Sequence, residues 1–154
     1  MEAELLSMEN INLLVQMEQR ARFSEPDIFV EGFDADVFRS DTEDALQNPL
    51  FATARCIMCI DEDGHAIGRI DFAIVPSFSF GGNTQVYVDW VYVLKDNRHK
   101  GVAQFLFSQM SAFIKASGVK EYFLLMADND EAQSFYRSIE SGEMQNYDVL
   151  RKYL

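Results

Sequence analysis

Apolar residues recur along the chain in two rhythms, and the switches between them divide it into elements. Residues 3–6 predict a short first strand. From Ser7, read as a helix cap, Met8, Ile11, Leu14, Val15 and the Met17/Glu18 position recur at helical spacing to about Arg22, and Pro26 breaks the pattern. Asp34 could cap a second helix, with Val37, Phe38, Asp41, Ala45 and Leu46 along one stripe, ended by Asn48-Pro49. Phe51–Ile60 and Ala66–Val75 then read as strands. Asp61-Glu62-Asp63-Gly64 between them is a hairpin signal, and Pro76 closes the second strand. Gln85–Leu94 is apolar on both faces, as a covered central strand should be, and Asp89 interrupts it.

The helical rhythm returns from about Lys100 to Ser117, with Val102, Phe105, Leu106, Met110, Phe113 and Ile114 on one side and Gly118 at the end. Glu121–Ala127 predicts a buried strand. Asp128-Asn129-Asp130-Glu131 opens a helix that carries Ala132, Phe135, Tyr136 and Ile139, with Gly142 after it. Tyr147–Tyr153 predicts a last strand. The order is that of an α/β (α+β) fold in a single domain spanning 1–154. The loop Ser77–Thr84, with Phe78 and Phe80, could cover a pocket, pack on the sheet or meet a second subunit in a homodimer.

Charge narrows the partners. Thirteen basic residues against twenty-five acidic ones give −12, which disfavours nucleic acid and suits a cationic partner or simply solubility. Asp27, Glu31, Asp34, Asp36, Asp41, Glu43 and Asp44 form an acidic stretch around the single base Arg39. It reads as a solvated helix face or as a wall that attracts a polycation. No apolar run reaches the length of a membrane span, and the start lacks a basic signal region, so a soluble cytoplasmic protein is expected. Cys56-Ile-Met-Cys59 lies in a strand, where positions three apart face opposite sides; two buried structural thiols are expected, with no metal site.

Candidate chemistry centres on the strand-to-helix turn Leu94–Ala103. Gly101 allows close backbone approach to an anion, the N–H groups from His99 to Ala103 lie at a helix start, and Arg98 and Lys100 add positive charge. A basic surface turn is the alternative. Four features in order resemble the GNAT superfamily of N-acetyltransferases over about residues 50–153. They are the hairpin Asp61-Glu-Asp-Gly64 with Ala66-Ile67-Gly68; the strand Val88-Asp-Trp-Val-Tyr-Val93; the loop Arg98-x-x-Gly101-x-Ala103; and Asn129-x-x-Ala132-x-x-Phe135-Tyr136.

The resemblance implies a mixed, mostly antiparallel sheet splayed between its fourth and fifth strands and flanked by helices. It also implies acetyl-CoA as co-substrate for direct transfer to a primary amine of a small molecule or peptide. Its pantetheine arm would pair with backbone near Val91 and Val93, and its pyrophosphate would sit on Arg98, His99, Lys100, Gly101, Val102 and Ala103. Asn129 would contact the arm or hold its loop, and Tyr136 would protonate the departing thiolate. Asp89 stands where many members carry an acidic base. Strand alternation would put it on the face of Val91 and Val93, where burial would raise its basicity; a substrate anchor or a locally bonded carboxylate are the alternatives. A non-catalytic acyl-CoA-binding or sensing module of the same fold is the alternative function. Ile139-Glu-Ser-Gly142-Glu-Met144 replaces the family's Leu-Gly-Phe, so the acceptor side is the least defined.

Overall fold

The computed structural model describes residues 1–29, 32–78, 82–127, 129–139, 142–145 and 152. It divides into two compact units, Met1–Leu124 and Leu125–Leu154. The first contains β1 (Glu2–Leu5), α1 (Ile11–Ser24), α2 (Ala35–Gln47), β2 (Ala54–Ile60), β3 (Ala66–Ser77), β4 (Asn83–Val93), α3 (Val102–Ala116) and β5 (Tyr122–Leu124). The second contains α4 (Asp130–Arg137). The sheet runs β1-β2-β3-β4-β5, antiparallel except for the parallel pair β4–β5. The fold is mixed α/β, as expected. The predicted last strand, residues 147–153, falls outside the described residues except for Lys152, which is in no strand.

Local chemistry explains where the elements depart from expectation. α1 starts at Ile11 because Ser7 and Asn10 close a turn: the Ser7 N–H donates to Asn10 Oδ1 at 2.8 Å, and Ser7 Oγ accepts from the Glu9 N–H. Asp34 does cap α2, accepting from the N–H groups of Asp36 and Val37. Pro49 opens a 3-10 turn over Pro49–Phe51, which delays β2 to Ala54. Pro76 lies within β3, opposite Thr84. β5 is three residues long and half-buried at most, shorter and less covered than the sequence suggests.

The register assigns the two faces of the sheet. Gly68, Ile70 and Phe72 face α3; a Cβ on Gly68 would lie 2.8 Å from Val102 Cγ1, and Phe72 meets Phe113 edge-on at 5.8 Å. Arg69 and Asp71 alternate to the other face, which carries α1 and a core of Leu14, Met17, Ala21, Cys56, Met58 and Tyr92. Cys56 pairs with Asp71 and Cys59 with Gly68, so the two thiols point to opposite faces; both are buried and free.

α3 packs closely over Gly68. The missing side chain of that glycine leaves room for Val102 and Leu106 and allows the turn before α3 to lie against β3 and β4. Gly68→Ala should therefore lower stability by about 1–3 kcal/mol through overpacking, more than the ~0.5–1 kcal/mol gained by replacing a strand glycine. Thermal unfolding would check this; a stabilised variant would show that α3 yields freely.

Candidate active site at the open edge of β4

β4 changes character at Asp89. Phe72 pairs with Val88 and Asp71 with Trp90, so Asp89 is an extra residue, a bulge in the ladder. Val86 and Val88 face α3 before it; Val91 and Val93, opposite Ile70 and Gly68, face α3 after it. The phase reversal means that alternation does not carry from Asp89 to Val91. Asp89 is exposed, which corrects the expectation of a buried carboxylate on the Val91 face. It lies within electrostatic reach of Asp71.

The same point ends the pairing with β5. Val86, Tyr87 and Val88 pair with Tyr122, Phe123 and Leu124, and among the described residues no strand continues along that edge. The Leu94 N–H donates to Ile67 O at 3.0 Å, so Leu94 directs its backbone groups at β3. By alternation, Val93 and Val91 direct theirs at the edge that β5 has left. Arg98 Nε donates to Val93 O at 3.2 Å, consistent with that direction.

β4 then runs into the basic turn. Lys95–Asn97 form one 3-10 turn, His99 has φ 58° and Gly101 φ 81°, left-handed conformations that turn the chain into α3. The Phe105 N–H donates to Gly101 O, and Gly101 at the N-cap position has no side chain with which to cap α3. The N–H groups of Val102, Ala103 and Gln104 therefore have no intrahelical partner and open at the positive end of the helix dipole. Lys100 and His99 are exposed beside them.

Arg98 is placed differently from its neighbours. Nη2 donates to Glu25 Oε2 at 2.6 Å, and the Tyr92 hydroxyl donates to the same oxygen at 2.5 Å. Glu25 is 9% exposed. Burial opposes its charge, but the bonds from Tyr92 and Arg98 prevail and hold its carboxyl below the ordinary range. Burial and the neighbouring carboxylate push the Tyr92 phenol well up.

A second polar group lies under the bulge. Glu18, 2% exposed, is bridged to Arg22 and to Arg69, whose Nη2 lies 3.1 Å from Glu18 Oε1 and 3.5 Å from Asp71 Oδ2. Asp71 Oδ1 and Arg69 Nε are sealed from solvent without hydrogen-bond partners. Burial raises the Asp71 carboxyl despite Arg69. Burial and then Asp71 push the Cys56 thiol well up, which leaves it protonated near neutrality. Sequence reasoning missed Glu18, Glu25, Arg69 and Asp71. The available signal was a charge at an apolar position of α1 and an Arg-x-Asp alternation in a covered strand.

The second unit carries the other two predicted residues. Asn129 caps α4, with Oδ1 accepting from the Ala132 N–H at 2.8 Å, and Asp130 and Glu131 follow in the first turn. Tyr136 is half-buried, its ring 5.4 Å from that of Phe135, and burial raises its phenol above the ordinary range.

Comparison with known proteins agrees with this architecture. Solved structures share the fold. They include an aminoglycoside acetyltransferase, meta-AAC0020, from an uncultured soil metagenomic sample in complex with sisomicin (14% identity, 99% of this chain and 96% of that one, TM-score 0.76). A ribosomal-protein-alanine N-acetyltransferase from Brucella melitensis biovar Abortus 2308 is similar at 18% identity, 98% and 99% coverage and TM-score 0.73. AAC(6')-Iy, in complex with the bisubstrate analog CoA-S-monomethyl-acetylneamine, is similar at 17% identity, 99% and 98% coverage and TM-score 0.73. No curated protein sequence matches the chain. The acetyltransferase (GNAT) family model matches residues 16–139, a span that includes the open β4 edge, the basic turn and Tyr136, and the chain belongs to that family.

Proposed function

We propose that the protein is an N-acetyltransferase that moves the acetyl group of acetyl-CoA directly to a primary amine. The observation that carries this reading is the parting of β4 and β5 after Val88. Among the described residues it leaves the backbone of Val91 and the N–H of Val93 without a strand partner, along an edge that leads straight into a helix start whose N-cap is a glycine. The pantetheine arm would lie along that edge as a surrogate strand. The pyrophosphate would face the turn from Arg98 through His99, Lys100, Gly101 and Val102 to Ala103. Asn129 would contact the arm or hold its loop.

In the reaction, the amine lone pair attacks the thioester carbonyl carbon and the carbon–sulfur bond breaks. The thiolate takes a proton from Tyr136, while the amine gives one up at Asp89, directly or through water. A phenol raised by burial stays protonated at neutral pH, which a proton donor to a thiolate requires. Asp89 is exposed at the bulge and so is open to an incoming ammonium. A covalent acyl-cysteine route has no support, because both cysteines are buried with their thiols pushed up.

The acceptor we favour is cationic: a polyamine, an amino sugar or a basic peptide. The net charge of −12 and the exposed acids Asp34, Asp36, Asp41 and Asp44 favour such a substrate. The aminoglycoside and ribosomal-protein acetyltransferases of the same fold make these amines the first to try.

Purified protein should release CoA thiol from acetyl-CoA only when an amine of this kind is added. Tight acetyl-CoA binding with no turnover on a broad panel would favour a binding module. Tyr136→Phe should lower kcat by about 10²-fold with acetyl-CoA affinity unchanged; an equal kcat would remove the acid role. Asp89→Asn should cost more at neutral pH than at high pH, where the amine deprotonates unaided. An equal loss at every pH would make Asp89 an anchor alone. A Cβ on Gly101 would meet nothing within 4 Å, so Gly101→Trp fills the space before the turn at the cost of backbone strain. It should abolish acetyl-CoA binding as read by calorimetry, and unchanged affinity would refute the phosphate site.

A further inference from the structure

Arg98 and the start of α3 lie on different sides of the sheet. The guanidinium carbon is 5.7 Å from the ring centroid of Tyr92, and Tyr92 pairs with Arg69 on the face covered by α1. α3 packs on the opposite face, with Val102 and Leu106 against Gly68. Arg98 is thus folded back, away from the backbone N–H groups at the helix start. Its Nη2 reaches Glu25, the residue that ends α1, and its Nε reaches Val93 O. Glu25 is itself fixed: its N–H donates to Ala21 O at 3.0 Å, and its carbonyl accepts from the Ile28 N–H at 3.1 Å.

We propose that Glu25 is a positioning residue for the donor turn, holding the Arg98 guanidinium against the α1 face so that backbone N–H groups, with Lys100 and His99 beside them, meet the pyrophosphate. The inference rests on the acetyl-CoA reading above. Its physical basis is the cost of the alternative. If Arg98 swung out to a phosphate, Glu25 would keep the Tyr92 hydroxyl and the weaker pull of Lys95 and remain a nearly buried carboxylate without its hydrogen-bonded cation. Breaking such a pair is far more costly than forming an exposed one is favourable. The guanidinium charge is already neutralised, so Arg98 shapes the turn from behind.

Calorimetry with acetyl-CoA separates the two roles by sign. Glu25→Gln should weaken acetyl-CoA binding about tenfold by loosening the turn. S-acetyl-pantetheine, which lacks the pyrophosphate, followed by chemical-shift titration at high concentration, should bind the variant and the parent within about twofold. Tyr92→Phe keeps the ring and removes one bond to the same oxygen; it should show a smaller loss in the same direction. Adding Arg98→Gln to Glu25→Gln should weaken binding no further, because the two residues act as one strut.

Glu25→Gln binding that is tighter, as expected if the variant frees Arg98 for the phosphate, or unchanged, would overturn the proposal. An equal loss with S-acetyl-pantetheine would overturn it too, since the defect would then be general. Should Glu25→Gln fold poorly by thermal unfolding, Tyr92→Phe gives the same reading, and its failure to weaken acetyl-CoA binding would count against the strut. Wild-type protein that binds no acetyl-CoA would sink both this inference and the acetyltransferase reading. Wild-type binding with an unaffected Glu25→Gln variant would sink this inference alone.

Discussion

One extra residue in β4 constrains the rest of the first unit. A regular antiparallel ladder would keep one phase along β4 and leave β5 free to pair along its whole length. Asp89 breaks that regularity as an extra residue in the ladder, the kind of insertion that bends a strand and increases its twist. Pairing with β5 stops at Val88, and among the described residues no strand pairs with Val91 or with the Val93 N–H beyond it. The unpaired edge is a cost in an ordinary sheet. Here it is the groove that the proposed donor arm fills.

Two supports hold that edge in place from opposite faces. On one, Gly68 brings α3 against the sheet and so sets where its first N–H groups stand. On the other, the Glu25–Arg98–Tyr92 group ties the turn to the end of α1, while Glu18, Arg69 and Asp71 lie under the bulge itself. The buried charges on this face are arranged largely in pairs. The exceptions, Asp71 Oδ1 and Arg69 Nε, lie on neighbouring residues opposite Trp90 and Tyr92. The basic turn and the bulge thus each make ionic contacts with residues of α1 or its end.

Much of this was legible in the sequence because it is local. The order of helices and strands follows from period and caps; Asp34 and Asn129 cap the helices they precede. The turn before α3 can be read because a glycine at a strand-to-helix junction supplies the left-handed conformation found at Gly101. The opposite facing of Cys56 and Cys59 follows from strand period alone. What could not be read depends on register or on distant pairing. The bulge at Asp89 is defined only by its neighbours opposite Asp71 and Phe72, so simple alternation does not hold through it, and the expected burial was wrong. The Glu25–Arg98 bond joins residues 73 apart, and nothing in either local pattern announces the other. Ser7 was misread as a cap because a turn through Asn10 uses the same residue types.

Residue-resolved amide hydrogen exchange with and without acetyl-CoA tests the central claim most directly. The account predicts new protection at the Val91 and Val93 amides, along the edge that β5 leaves, together with those of Val102, Ala103 and Gln104 at the start of α3. Protection confined to other segments, with these amides exchanging as before, would contradict it.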